Sequence, residues 1–356
     1  MLYMMFGFSL LGGIDKLLGN KFGLGVKFDE GIKAMGSLAL TIIGIYSLSP
    51  IIAKLMTPIL TPMAKLLFTD PSVFISSVLA TDLGAFNTSM ELALDPQVGV
   101  FNGIILASML GATISFTVPV AINLISANDF IFFSKGVLAG IITIPVGMLV
   151  AGFMLHVELI DIIFNILPVV IISSLIAYGL VKSLNKTIQV FNILGKVVLF
   201  ISTIGFLFGI LNYGFGISII DGMLPIEDGV MLVFSISVVL SGAYPMLYII
   251  SRKFYKELNA ISNKYGLDEY SLLGLVSSLA SALPMMGIYS EMNNKGKVLN
   301  AAFAVSGSYV FGGQLGYVSS VAPHTVNAFI VSKLVAAIAG IAVALYLIKK
   351  ETKEVM

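Results

Sequence analysis

The residue with the most chemical consequence in this sequence is an aspartate set inside an apolar stretch. Asp82 follows Thr81 and precedes Leu83-Gly84 in a hydrophobic segment near residues 66–92. A carboxylate at bilayer depth costs roughly 2.5–3.5 kcal/mol on insertion scales unless something compensates it. Asp82 is either the counter-ion for a cationic solute or a proton, or a structural partner of buried donors. The sequence is read as placing no lysine or arginine at matching depth, which favours the counter-ion. Asn87, Thr88 and Ser89 follow closely and offer donors and acceptors. Glu91 and Glu291 close two related segments, either as solvated helix-end carboxylates or as solute or gating contacts. Gln314, in Gly312-Gly313-Gln314, either hydrogen-bonds a hydroxyl or packs between helices, and Gly111-Ala112-Thr113 stands at the related place earlier in the chain. Tyr46 and Tyr244 either offer a ring face to an ammonium group or pack with the hydroxyl on a neighbour. Asn102 and Asn300 serve interhelical hydrogen bonds or the solute.

Other chemistries have no residues to carry them. There are no cysteines and only two histidines, His156 and His324, far apart and read as interfacial. No metal site and no cofactor is expected. Neither a phosphate-binding G-x-x-x-x-G-K-[ST] loop nor an H-E-x-x-H or G-x-S-x-G motif occurs, so the chain is not read as an enzyme. A net charge of +1 offers no basic face for nucleic acid.

The elements that must hold these residues are membrane helices. The 356 residues are 58% hydrophobic and 11% charged, with a mean hydropathy of +1.01. Soluble domains carry about 25% charged residues, so lipid must solvate much of this surface. The expected fold is all-α and polytopic. Spans fall near 2–18, 34–56, 98–122, 136–156, 159–181, 190–212, 230–251, 298–320 and 328–348. The first is read as a span, not a cleaved signal, because it has neither a basic n-region nor a small-residue cleavage site. Segments 66–92 and 270–292 are interrupted, at Thr81-Asp82-Leu83-Gly84 and at Ser281-Ala282-Leu283-Pro284. Pro50, Pro119, Pro145, Pro245 and Pro284 are expected to kink helices. Asp29-Glu30 and Glu227-Asp228 are read as dipole partners at helix starts.

An internal repeat organises the spans. Gly31 and Gly229, Gly44 and Gly242, Lys135 and Lys333, and Asn102 and Asn300 are each separated by 198 residues in matching contexts. The chain therefore divides into a first repeat over 1–156, a linker helix over 157–189 and a second repeat over 190–356. If the interrupted segments are re-entrant hairpins, 17 Lys and Arg share one side and only Lys54, Lys65 and Lys333 face the other, as the positive-inside rule requires. Each repeat then has four spans and a hairpin, and the linker inverts the second against the first. The N-terminus lies outside and the C-terminus in the cytoplasm. Inverted repeats with broken helices are a common plan of secondary transporters. A homo-oligomer is compatible with this plan, whose partners are otherwise the lipid bilayer and a small solute.

The motifs also carry a resemblance. Phe28-Asp29-Glu30-Gly31, Ala34 to Leu40, Gly136 to Gly147, Gly242-Ala243-Tyr244-Pro245-Met246 and Gly296 to Ser306 are similar to the ethanolamine utilisation permease family over nearly the whole chain. The resemblance implies uptake of ethanolamine across the bacterial cytoplasmic membrane for breakdown to acetaldehyde and ammonia. Asp82 falls on the family's Ala-Cys-Asp-Met-Gly-like motif and Glu91 on a family glutamate before leucine. The sequence departs where the family tends to carry Asp-His after Gly312, and has Gly313-Gln314 instead. Such a substrate is largely protonated near neutral pH, as a lysine is. The alternatives are a carrier for another small amine or ion-coupled metabolite, and a non-transporting membrane sensor.

Overall fold

The computed structural model describes residues 2–253 and 264–355; Lys256, one of the basic residues weighed for orientation, lies outside them. Among the described residues the chain is helical, without strands. Two long helices open it, α1 (Leu2–Leu17) and α2 (Leu24–Leu67). Asp15 joins them, its carboxylate accepting from the backbone N–H of Phe22, Leu24 and Gly25 at 2.8–3.1 Å. At 1.5 Å per residue, the 44 residues of α2 run about 66 Å, more than twice the bilayer's hydrocarbon thickness. Asp29 and Glu30 thus lie inside α2, paired with Lys16 and Lys27, and do not precede it as expected. Pro50 leaves the Tyr46 carbonyl without its helical donor, and the Ser49 hydroxyl takes that carbonyl at 2.8 Å.

The first interrupted segment becomes two short helices, α3 (Ser72–Val78) and α4 (Ala85–Leu92), around a tight turn at Thr81–Leu83. Asp70 closes its base. One carboxylate oxygen caps Ser72 N at 2.8 Å, and the other accepts from Leu94 N at 2.8 Å. The segment therefore returns to the end from which it started. Next come α5 (Pro96–Leu124), α6 (Phe130–Met154) and α7 (Leu159–Lys182). Helix α5 is π-helical over Phe101–Gly111 and Thr113–Thr117, a widened geometry that is frequent at functional sites.

The second half runs through α8 (Leu184–Phe215), α9 (Ile226–Lys253), α10 (Glu269–Ser278) and α11 (Ala282–Gly287). It continues with α12 (Asn294–Gly307), α13 (Gly313–Val321) and α14 (Val326–Val355). Asp268 closes the second hairpin as Asp70 closes the first: it accepts from Ser271 N at 2.7 Å and from Asn293 N. The two bases lie at opposite ends of the bundle. Helix α5 starts at the first base, and its far end leads to Asp129, which pairs at 2.5 Å with Lys297, four residues beyond the Asn293 cap.

Among the described residues, seven helices are long and apolar enough to cross a membrane. The expected span at 2–18 is the 16-residue α1, and that at 298–320 is broken between α12 and α13. Two packed groups emerge from the helix contacts: α1, α2, α8 and α9 in one, and α6, α12 and α14 with the hairpins and α5 in the other. Without a hydrophobic drive between helices in lipid, close backbone approach holds such bundles. A Cβ on Gly44 of α2 would strike the Ser202 carbonyl of α8, and one on Gly242 of α9 would strike the Met5 carbonyl of α1. In the other group, Gly136 and Gly140 of α6 press on the Val298 and Ala302 carbonyls of α12.

Candidate functional site

The turn of the first hairpin holds Asp82 at the wall of a cavity of about 700 Å³. Four departures from regular helix meet there: both hairpin turns, the π-helical part of α5 and the gap between α12 and α13. Ala80 N donates to the Ser115 hydroxyl of the π-helical part of α5 at 3.0 Å. The turn of the second hairpin pairs with the gap between α12 and α13 through Tyr309 N to Ser278 O at 3.1 Å and Phe311 N to Leu279 O at 2.8 Å. Tyr309 sits at φ 64°, a left-handed conformation that a bulky residue adopts only where its surroundings enforce it. Non-helical backbone survives at membrane depth where it is buried or lines a cavity, and both conditions hold.

The cavity lies between the two packed groups. Asp82, Tyr309, Gly313 and Gln314 line it from one side; Leu38 and Thr41 of α2, Asn192 of α8 and Tyr244 of α9 line it from the other. It extends toward Asn123 at the end of α5 and Lys196 in the first half of α8. Asp82 is partly accessible through the cavity, and among the described residues no side-chain donor satisfies its carboxylate.

The expectation that no basic residue reaches this depth is wrong. Lys333 of α14 is fully buried, and its ammonium donates to the Ser108 carbonyl at 2.5 Å and to Gln314 Oε1 at 2.9 Å. Its Nζ also lies 5.3 Å from the Phe329 ring centre. The charge of Asp82 acts on it, yet among the described residues no carboxylate lies within 4.0 Å of Lys333. The clue lay in the sequence: Lys333 falls inside the expected 328–348 span. Its depth was not apparent there, because it depends on Ser108 and Gln314 from other elements. Because an ammonium only donates, Gln314 must turn its oxygen to Lys333, and among the described residues its amide N–H groups have no partner.

Of the residues singled out from the sequence, Asp82, Gln314 and Tyr244 line the cavity together. Thr81 and Thr88 are buried within the hairpin with unpartnered hydroxyls, and the Asn87 amide nitrogen is likewise buried without a partner. Those three do not line the cavity. Glu91 and Glu291 are exposed at the ends of their hairpins and are not brought to Asp82. Asn102 and Asn300 brace the hairpins: Asn102 donates to Ser72 Oγ at 3.0 Å and Asn300 to Ser271 O at 2.9 Å. Tyr46 packs in the cluster around Ile42 and Ile236. His156 and His324 are exposed near helix ends. Sequence reasoning missed Tyr309 on the cavity wall and the acids Asp70 and Asp268 at the hairpin bases, and it marked Ser281, also on that wall, only as part of a helix break.

Seven membrane-length helices among the described residues, with a largely apolar cavity between two helix groups that holds a few polar side chains, make a multi-pass transport protein of the permease type. Residues 1–347 match the family described as ethanolamine utilisation protein, EutH, and the chain belongs to that family. It is 41% identical over 353 residues to a probable ethanolamine permease EutH of Listeria monocytogenes, covering 99% of this chain and 95% of the relative. The corresponding protein of Escherichia coli is 32% identical over 388 residues, covering 98% and 95%. A Bacillus subtilis relative, the uncharacterized protein YxeR, is 38% identical over 345 residues, covering 97% and 93%. No solved structure matches the chain.

Proposed function

We propose that this chain is a secondary permease that takes up ethanolamine, as the protonated amino alcohol, across the bacterial cytoplasmic membrane. The carrying observation is the Asp82 carboxylate, held without a side-chain donor on the wall of a cavity where both hairpin turns meet. Such a group lowers the cost of dehydrating one ammonium ion. The permease names of the Listeria and Escherichia relatives support the same substrate. Asp82 binds the ammonium, and the free amide N–H of Gln314 donates to the hydroxyl oxygen. Tyr244 and Tyr309 border the space between. Ethanolamine has four non-hydrogen atoms and fills a small part of the cavity, leaving the rest as a watered vestibule.

The two halves act as inverted copies. Paired features support this reading: the Asp70 and Asp268 closures, the Asn102 and Asn300 braces, and the Gly44 and Gly242 crossings recur 198 residues apart. With the basic face in the cytoplasm, the cavity opens inward on this reading, because its exposed lining residues Asn123 and Lys196 belong to the helix ends assigned to that face. The group bearing the hairpins shifts against α1, α2, α8 and α9 to expose Asp82 to the outside. The test is uptake of labelled ethanolamine into proteoliposomes. Asp82→Asn should abolish it in a protein that still purifies as a single folded species; retained uptake removes the counter-ion role.

A further inference from the structure

We propose that Lys333 is a tethered ammonium that balances Asp82 when the carrier is empty, so that the solute-free carrier reorients with an electrically neutral centre. The inference rests on the reading of Asp82 as the solute's counter-ion.

The surroundings of Lys333 suit a charged ammonium. They consist of a backbone carbonyl at 2.5 Å, an amide oxygen at 2.9 Å and the face of a phenyl ring. All three are electron-rich, and among the described residues no group donates to its nitrogen, as a neutral amine's lone pair would require. A buried cation is costly unless its charge is answered nearby, and Asp82 is the acid whose charge reaches it. The two are held apart by Gln314, which bonds Lys333, and by Gly313, whose Cβ position lies 4.0 Å from Asp82 Oδ2. Asp82 thus stays open to the cavity while its charge is offset.

The arrangement fixes the charge of each step. The empty centre sums to zero, and the centre loaded with a monocation sums to plus one. Net uptake then moves one positive charge per solute, and the return of the empty carrier moves none. Removing the Lys333 charge reverses this: the loaded centre becomes neutral and the empty one keeps an uncompensated carboxylate. Exchange of solute for solute never visits the empty reorienting state, so it escapes that penalty.

The test compares two fluxes of labelled ethanolamine in proteoliposomes. For Lys333→Met, exchange at saturating ethanolamine on both sides should stay within about threefold of wild type. Net downhill uptake should fall roughly fiftyfold or more, the penalty of a lone carboxylate at depth. Lys333→Arg should restore net uptake at least in part. A merely structural role would lower both fluxes together, and that result, or unchanged net uptake, overturns the inference. Should Lys333→Met fail to fold, the wild type decides: an inside-negative potassium diffusion potential must accelerate its net uptake, and indifference to the potential overturns the inference. Wild-type exchange with either adverse result removes this inference alone; absence of wild-type exchange removes the ethanolamine reading as well.

Discussion

Gly312 stands so close to the carbonyl oxygen of Ala280 that a Cβ there would overlap it. Gly111 stands in the same relation to Leu79. Each glycine thus lets a hairpin turn cross a helix that has widened or broken, and these two crossings frame the cavity.

Gly111→Ala and Gly312→Ala should each destabilise the protein and lower ethanolamine uptake, because the carbonyl each Cβ would meet is backbone and cannot swing away. Overpacking of this kind costs about 1–3 kcal/mol or more. Gly36→Ala, in α2 with open space around it, should be neutral or slightly stabilising by up to about 1 kcal/mol. Thermal unfolding in one detergent compares the three.

Asp70→Asn should loosen the first hairpin more than a surface substitution does. The carboxylate serves Ser72 N, Ser72 Oγ and Leu94 N at once, and loss of a capping acid costs about 0.5–2 kcal/mol. Hydrogen exchange should rise across residues 70–94 and stay unchanged across the second hairpin. Equal loosening of both hairpins would contradict the local role.

Asp129 and Lys297 join the α5–α6 connection to the start of α12 at 2.5 Å. Burial raises the Asp129 carboxyl, but the hydrogen bonds from Lys297 and Ser126 outweigh it and hold the group below its usual value. A carboxyl depressed in the folded state adds stability that is present above its unfolded value near 3.9 and is lost as pH falls through the folded value. Asp129→Asn should lower thermal stability at pH 6 to 7, and the deficit should shrink as pH falls below about 4.

Much of the architecture was legible because it is written in one-dimensional patterns. Apolar length alone located the helices at 159–182 and 226–253 within a few residues, and the broken segments around Asp82 and Ser281 stood out by their polar residues. Asp82 itself was legible because a carboxylate in an apolar run needs a reason. What stayed hidden depends on contacts between distant segments. Lys333 reads as a boundary residue until Ser108 and Gln314 are folded onto it. Glu91 and Glu291 share the hairpins with the site, yet their exposure separates them from it. Tyr309 gave no sign of its left-handed backbone, which the partner turn at Ser278 and Leu279 imposes.

The most direct test of the counter-ion claim is equilibrium binding by calorimetry on the purified protein in nanodiscs. Ethanolamine should bind to the wild type, and Asp82→Asn should weaken it at least about tenfold, the loss of one charge-assisted contact of roughly 1.5–3 kcal/mol. Ethylammonium should compete and ethylene glycol should not. Undiminished binding by folded Asp82→Asn, or equal competition by the uncharged diol, would contradict the role assigned to Asp82.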